Sequence, residues 1–297
     1  MKLHHRLSAL ALLLFACSSQ QAATPPESPA ASEASPEASA KLDAVLAAQS
    51  DEVKARYEYR HPKETLAFFG VQPGMTVVDT LPGPVWYSGI LLEYLGPQGT
   101  VAPADYSPEM WTKFGEYTPD PKTKESWIAD TKAKFDEKRK PESAAVAPLQ
   151  YGAVPEELTG KVDVVLVIRA LHHFMRLEAS DGYLTKALAD MNELLKPGGI
   201  VGVEQHRAPE SAPDASATGE RGYLKQSAVI AAFEKAGFEL VEASEINANP
   251  KDKPADSDVV WRLPPTLATS KDNPELKAQL EAIGETDRMT LKFKKKS

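Results

Sequence analysis

Two groups of residues in this 297-residue chain have the types and spacing for chemistry. The first lies in "VVDTLPGPVWYSG", residues 77–89, and "VAPADYSPEM", residues 101–110, where Asp79 and Asp105 each close a short apolar run. An acid at the carboxyl end of a strand, followed by a turn that holds Gly83, is where an α/β protein receives a nucleotide-like cofactor. Ligands of open sheets bind outside the carboxyl ends of the strands, where the strand order reverses. Asp105 can accept hydrogen bonds from two ribose hydroxyls there, or it can simply end its strand before the helix opened by Ser107 and Pro108. The second group is His172, His173 and His206, which follow "VDVVLVI" and "IVGVEQH". An imidazole suits proton removal near neutrality, so His206 is the first candidate for a general base and His172 the second. Adjacent histidines tend to point apart and no H-E-x-x-H spacing occurs, so no metal site is expected.

The elements that must position these residues are legible as alternating strands and helices. "MTVVDT" and "GTVAPAD" are the first two strands, and "AAVAPLQYG" is a weak third. "VDVVLVI", residues 162–168, is apolar on both faces and is expected at the centre of a parallel sheet. A helix with Leu184, Ala187, Leu188, Met191 and Leu195 on one face follows and stops at "KPGG"; "IVGVEQH" is the next buried strand. The helix "YLKQSAVIAAFEKAG" leads to the strand "FELVEAS". The closing "RMTLKFKK" alternates Met289, Leu291 and Phe293 with polar residues, as an antiparallel edge strand would, and its "KFKKK" end is expected to be solvated. Residues 118–142 are polar and charged around Trp127 and Phe135, a helical insertion or lid. Strands alternating with helices predict a doubly wound α/β sheet.

Composition bounds the partners. With 42% hydrophobic residues there is material for a sizeable core, and a net charge of −8 argues against a nucleic-acid partner. No apolar run reaches the ~18 residues of a membrane-spanning helix. The N-terminus reads as a processing signal: "MKLHHR" is a basic n-region, "LSALALLLFA" a short apolar core, and "LFAC" resembles a bacterial lipobox. Residues 1–17 are therefore expected to be a lipoprotein signal ending at Cys17, the lipidation site and the single cysteine, which leaves no disulfide. Ser18 after the cysteine, where aspartate serves as an inner-membrane retention signal, points to the outer membrane, facing the periplasm. Residues 18–40, rich in Ser, Ala, Pro and Glu, are expected to be a disordered tether, and residues 41–297 one folded domain.

The order of elements resembles the class I S-adenosylmethionine (SAM)-dependent methyltransferase fold, a Rossmann-like seven-stranded sheet whose last strand is antiparallel. The resemblance covers nearly all of residues 55–297 and rests on "VVDTLPGPVWYS", "VAPADYSPEM", "VDVVLVIRALHHFM", "LLKPGGIVGVEQH" and "KAGFEL" in order. The chain also resembles a group of predicted envelope methyltransferase-like proteins, which carry "PGGGWYT" after the first strand and a "GESDRMTLKF"-like end; here "RGYLKQ" and "GETDRMTLKF" match. The resemblance implies SAM as cofactor, a small-molecule acceptor, and cofactor contacts from Asp79, Gly83, Trp86 and Asp105.

The glycine loop departs from the pattern. Leu81 and Val85 stand at two glycine places of the general class, and Pro84 and Val85 replace two glycines of the narrower group. Pro84 has no N–H and Val85 disfavours positive φ, so the loop is expected to follow a different path, with weakened SAM binding. Trp86 and Tyr87 either shield a sulfonium by cation–π contact or staple the first helix to the sheet. Arg207, Arg221 and Tyr223 are candidates for the substrate side, and "VVWRLPPTL", with Trp261 and Arg262, either covers the pocket or packs beside it. Two functions follow: a SAM-dependent methyltransferase acting on a small molecule, or a non-catalytic ligand-binding envelope lipoprotein that reuses the fold. The first is the leading reading; the altered loop and a location where SAM is not expected to be plentiful support the second.

Overall fold

Strands form where the apolar runs predict them. They are β1 (Thr76–Thr80), β2 (Thr100–Asp105), β3 (Ala145–Val146), β4 (Leu149–Gln150), β5 (Val162–Ile168), β6 (Leu195–Ala208), β7 (Leu224–Lys225), β8 (Phe238–Ser244) and β9 (Arg288–Lys295). The computed structural model describes residues 35–83 and 85–296; the signal segment with Cys17, residues 18–34 of the expected tether, and Pro84 lie outside the described residues. A helix already spans Pro36–Ala47, with the Ser35 side chain accepting from the Ala38 N–H and Leu42 and Leu46 buried. Residues 36–40, expected to be tether, are therefore helical. Ser35 and Pro36 supply a cap and a first-turn proline, start signals that the Ser/Ala/Pro-rich composition around them hides.

The sheet order is β3-β2-β1-β5-β6-β9-β8, with β4 also on β2 and β7 on β6. β1, β2, β5 and β6 run parallel, and β9 is antiparallel to both of its neighbours. This is the seven-position order of the class I methyltransferase fold. The expected third strand is realised as two short pieces, β3 and β4, on either side of Ala147 and Pro148, and β7 is a small addition. The order reverses between β1 and β5, so the carboxyl ends of those strands face the crevice where ligands of such sheets bind.

Side-chain alternation divides the core into two layers. Val165 and Val167 of β5 pack with Val201, Val203, Leu291 and Phe293 and with the helices Tyr183–Leu194 and Gln226–Lys235. Val164 and Leu166 face the opposite layer, with Val77, Leu66, Phe69 and the helix Trp86–Leu95. That double burial is why "VDVVLVI" is apolar throughout.

The edge-strand expectation for β9 is overturned. β9 lies between β6 and β8, and β8 is the edge. Its alternate residues Arg288, Thr290 and Lys292 are buried too, facing the N-terminal helices instead of water. Arg288 pairs with Glu285 and Glu204, Thr290 accepts from Asn247, and the Lys292 amine lies 5.9 Å from the Phe68 ring centre. Nor is the lysine-rich end simply solvated: the Lys295 ammonium donates to the carbonyl oxygens of Asn192 and Leu195, where a cation complements the end of the helix Tyr183–Leu194. The alternating pattern is real, but its polar half is spent on buried pairs.

One glycine fixes the spacing of the second layer. A Cβ on Gly202 of β6 would lie 2.5 Å from the ring of Phe69, itself fully buried. Gly202→Ala is expected to destabilise the fold by about 1–3 kcal/mol in urea unfolding, the usual cost of overpacking a filled core.

Candidate functional site

At the end of β1 the chain turns into the helix Trp86–Leu95, and the turn is pinned at both ends. The Leu81 N–H donates to the Ala104 carbonyl at 2.7 Å and the Val85 N–H to the Pro82 carbonyl at 2.9 Å. The Ser88 hydroxyl donates to the buried Asp79 carboxylate at 2.6 Å, tying the strand end to the helix start. Burial raises the Asp79 pKa to about 6, against the lowering effect of that bond.

The loop is left-handed at three of its described positions. Leu81 (φ 53°), Gly83 (φ 52°) and Val85 (φ 58°) all have positive φ. Two of the three are side-chain-bearing residues held at a φ that favours glycine, at positions where the sequence resemblance implied glycine. A branched residue held there costs roughly 1–2 kcal/mol, which the surrounding contacts must offset. Pro84, the other substitution, lies outside the described residues.

Beside this loop is a cleft of about 620 Å³, bounded by Leu81, Val85, Asp105, Trp111, Lys124 and Phe135 among others. Its outer wall is the insertion, whose helices are Pro121–Glu125 and Trp127–Asp136. Asp105 ends β2 with its carboxylate almost fully buried and already engaged. The Lys124 ammonium is 2.8 Å away, and the Trp111 indole N–H and the Tyr106 backbone N–H donate at 3.1 and 2.9 Å. Lys124 also lies 3.9 Å from the centre of the Trp111 ring. Lys124 escaped the sequence reading because nothing in the charged run 118–142 marks one lysine as folding back to the sheet.

Trp86 faces away from the cleft. The Arg60 guanidinium lies 4.7 Å from its ring centre, Tyr57 meets it edge-on, and the Tyr87 hydroxyl donates to the Arg60 carbonyl. These contacts tie the start of the helix Trp86–Leu95 to the N-terminal helices, where a staple to the sheet was expected.

The histidines come together. The rings of His172 and His173 have centres 4.0 Å apart, and that of His206 is 5.6 Å from His172. The expectation that His172 and His173 point apart fails because they sit in the first turn of the short helix Leu171–Arg176, packed between Tyr106, Phe114 and Trp261. Tyr106 also contacts Trp111, so one aromatic wall runs from Asp105 to His173. His206 shares a hydrogen bond with the Thr286 hydroxyl at 2.6 Å, and Gln205 holds His172 at 3.3 Å. Among the described residues no three or more His, Cys, Asp or Glu side chains are grouped to hold a metal ion.

Burial is the main cause of the histidines' low basicity, with neighbouring arginines adding to it. It brings His172 down to about 4 and His173 to about 2, and it carries His206 well below the usual imidazole range. All three are neutral at pH 7. Of the other candidates, Arg207 is held by Asp287 and Glu245, Tyr223 donates to Asp252, and Arg262 pairs with Asp252. Trp261 does cover the histidines, on a strap running from Val260 to Thr266.

Glu285 carries a group that the sequence reading missed. Buried at the start of the closing motif, its carboxylate contacts Arg56, Arg60 (3.3 Å), Arg169 (3.7 Å) and Arg288 (2.6 Å). Burial alone would raise this carboxyl; the surrounding guanidiniums hold it down, at about 2. An acid placed between "G" and "TDR" directly before an apolar strand was the available signal.

No family model and no curated protein sequence matches the chain. Solved structures with a similar fold include a SAM-dependent methyltransferase from Aquifex aeolicus, 19% identical over 69% of this chain and 93% of that one, TM-score 0.45. Another is the 1,6-didemethyltoxoflavin-N1-methyltransferase of Burkholderia thailandensis, with 14% identity, 95% and 99% coverage, and a TM-score of 0.45. A third is the arsenic(III) SAM methyltransferase of Chlamydomonas reinhardtii, with 15% identity, 86% and 73% coverage, and a TM-score of 0.44. Likeness of this extent adds no argument to the strand order itself.

The histidines give a pH prediction. His172 is less basic folded than unfolded, so the unfolded chain takes up its proton first. Its stabilising effect is present above the unfolded pKa near 6.5 and is lost as pH falls towards about 4. His172→Gln, which cannot titrate, should lose less stability than the wild type between pH 7 and pH 4, by about 3 kcal/mol in urea unfolding. An equal loss in both proteins would show that His172 does not carry it.

Proposed function

We propose that the protein is a SAM-dependent methyltransferase acting on a small molecule, with the cofactor in the cleft between the Leu81–Val85 loop and Asp105. One observation carries the reading: the loop after β1 keeps left-handed backbone at Leu81, Gly83 and Val85, at the point where the strand order reverses. The cleft beside it, about 620 Å³, is within the size range of small-molecule and cofactor sites. SAM would supply an electrophilic methyl group. Asp105 would hold the ribose, the loop backbone and Gly83 would lie along the methionine portion, and Asp79 would fix the loop through Ser88. His206, with His172 beside it, would remove the acceptor's proton. Both are neutral and so in the accepting state at pH 7, and their low basicity suits an acceptor that is itself readily deprotonated. Alignment of nucleophile and methyl supplies most of the rate in such a transfer.

The second reading, a non-catalytic ligand-binding protein, is favoured by the Lys124–Asp105 pair, which occupies the acid that SAM would use. The two are separated by calorimetry with SAM and S-adenosylhomocysteine on the wild type and on the variants Lys124→Met, Val85→Gly and Asp105→Asn. The methyltransferase reading expects weak wild-type binding that tightens about tenfold in Lys124→Met. Val85→Gly should change it less than about threefold, because that residue already adopts the required conformation. Asp105→Asn should lose about 1.5–3 kcal/mol, the range for hydrogen bonds to a charged group. No binding by any of the four proteins would retire the methyltransferase reading in favour of the second.

We also propose, from the sequence, that Cys17 is lipidated and tethers the domain to the bacterial envelope, on the periplasmic side of the outer membrane. The likeness of the closing motif to an envelope methyltransferase-like group supports this reading. Cys17→Ser should abolish incorporation of labelled palmitate and leave an uncleaved or soluble protein; labelling equal to wild type would refute the anchor.

A further inference from the structure

The carboxyl edge of β5, β6 and the start of β9 holds an uneven set of charges. Four guanidiniums, of Arg56, Arg60, Arg169 and Arg288, gather around two carboxylates, those of Glu204 and Glu285. Arg288 is enclosed between both acids, and Arg60 lies over the Trp86 ring. Arg169 is the least committed. It follows β5 with a positive φ of 57°; among the described residues its one ion pair is the 3.7 Å approach to Glu285, and its buried Nε has no hydrogen-bond partner. Among the described residues the buried Nε2 of His172 and Nε1 of Trp86 are likewise without partners.

Arg169 lines a narrow cleft with His206, Glu285 and Thr286, roofed by Trp261 and Pro264. The cleft's free space is only about 20 Å³, room for about one water molecule, so any ligand group that enters must be small or must lift the strap. A surplus of positive charge in a region of restricted water favours an anion, and a guanidinium presents paired donors that fit a carboxylate or phosphate.

We propose that this cleft is an anion site, in which Arg169 binds the carboxylate or phosphate group of the protein's small-molecule ligand beside His206. That the ligand is the methyl acceptor rests on the methyltransferase reading; the anion site itself does not. The arrangement would bring an acidic molecule to the imidazoles through its charged group and leave its reacting atom to be aligned towards the cofactor cleft. It also accounts for an arginine at a backbone conformation that favours glycine: the position needs the side chain.

The test is a tryptophan-fluorescence titration of the full chain in detergent, with Trp261 in the strap as reporter. Inorganic phosphate and acetate are titrated separately, at constant ionic strength balanced with chloride. Saturable binding of at least one of them is expected, weakened about tenfold or more in Arg169→Gln and less in Arg169→Lys, which keeps the charge but loses the fork. Arg139→Gln, an exposed arginine of the insertion, should titrate as wild type. Preference for phosphate or for acetate assigns the ligand class. A wild type that responds no differently from chloride overturns the site, as does unchanged binding in Arg169→Lys together with Arg169→Gln or, if the latter does not fold, in Arg169→Lys alone. SAM is titrated in parallel: anion binding without SAM binding removes the methyltransferase reading and keeps this site.

Discussion

The Glu285 carboxylate is the point on which three parts of the chain depend. It joins Arg56 and Arg60 from the N-terminal helical segment, Arg169 from the end of β5, and Arg288 from β9. Arg288 extends the network to Glu204 on β6 and to the carbonyl of Tyr59. Taking so many charges out of water is expensive, and a buried network holds only when its members stay paired; removing one partner from a buried pair typically costs about 3–5 kcal/mol. The arrangement explains why β9 can sit inside the sheet with charged residues on one face. It also borders the narrow cleft under Trp261, because Glu285 and Arg169 line it and His206 is bonded to Thr286, the residue after Glu285.

The loop after β1 holds Leu81 and Val85 in a conformation that favours glycine. Leu81 and Val85 stay left-handed because hydrogen bonds to Ala104 and Pro82, and the Asp79–Ser88 bond, fix the turn from both sides. Conformational strain persists only where the surroundings over-determine it, and it concentrates at functional sites. The same contacts fix one wall of the cleft of about 620 Å³. Lys124, delivered by the insertion, neutralises Asp105 and rests on Trp111. An acid buried beside a lysine is stable as it stands, so a ligand that uses Asp105 must match that pairing and also displace the lysine.

Much of this was legible in the sequence. The double-faced apolar pattern of residues 162–168 located the central strand, Asp105 ends β2 and Asp79 lies one residue before the end of β1 at the carboxyl edge of the sheet, and helices occupy much of residues 118–142. Three features were not legible, for physical reasons. The polar half of "RMTLKFKK" looks solvent-facing because alternation records which residues are apolar, not where their polar neighbours find partners. The left-handed backbone at Leu81 and Val85 is imposed by tertiary hydrogen bonds, against local preference. Long-range ion pairs such as Arg56 with Glu285 or Lys124 with Asp105 link residues whose sequence neighbours say nothing about each other.

The central claim, that the cleft between the Leu81–Val85 loop and Asp105 is the SAM site, is tested most directly by a crystal structure of the protein with S-adenosylhomocysteine. The account predicts the adenosine in that cleft, with its ribose hydroxyls on the Asp105 carboxylate and the Lys124 ammonium withdrawn from it. A nucleoside bound elsewhere, with the Lys124–Asp105 pair intact, would contradict it.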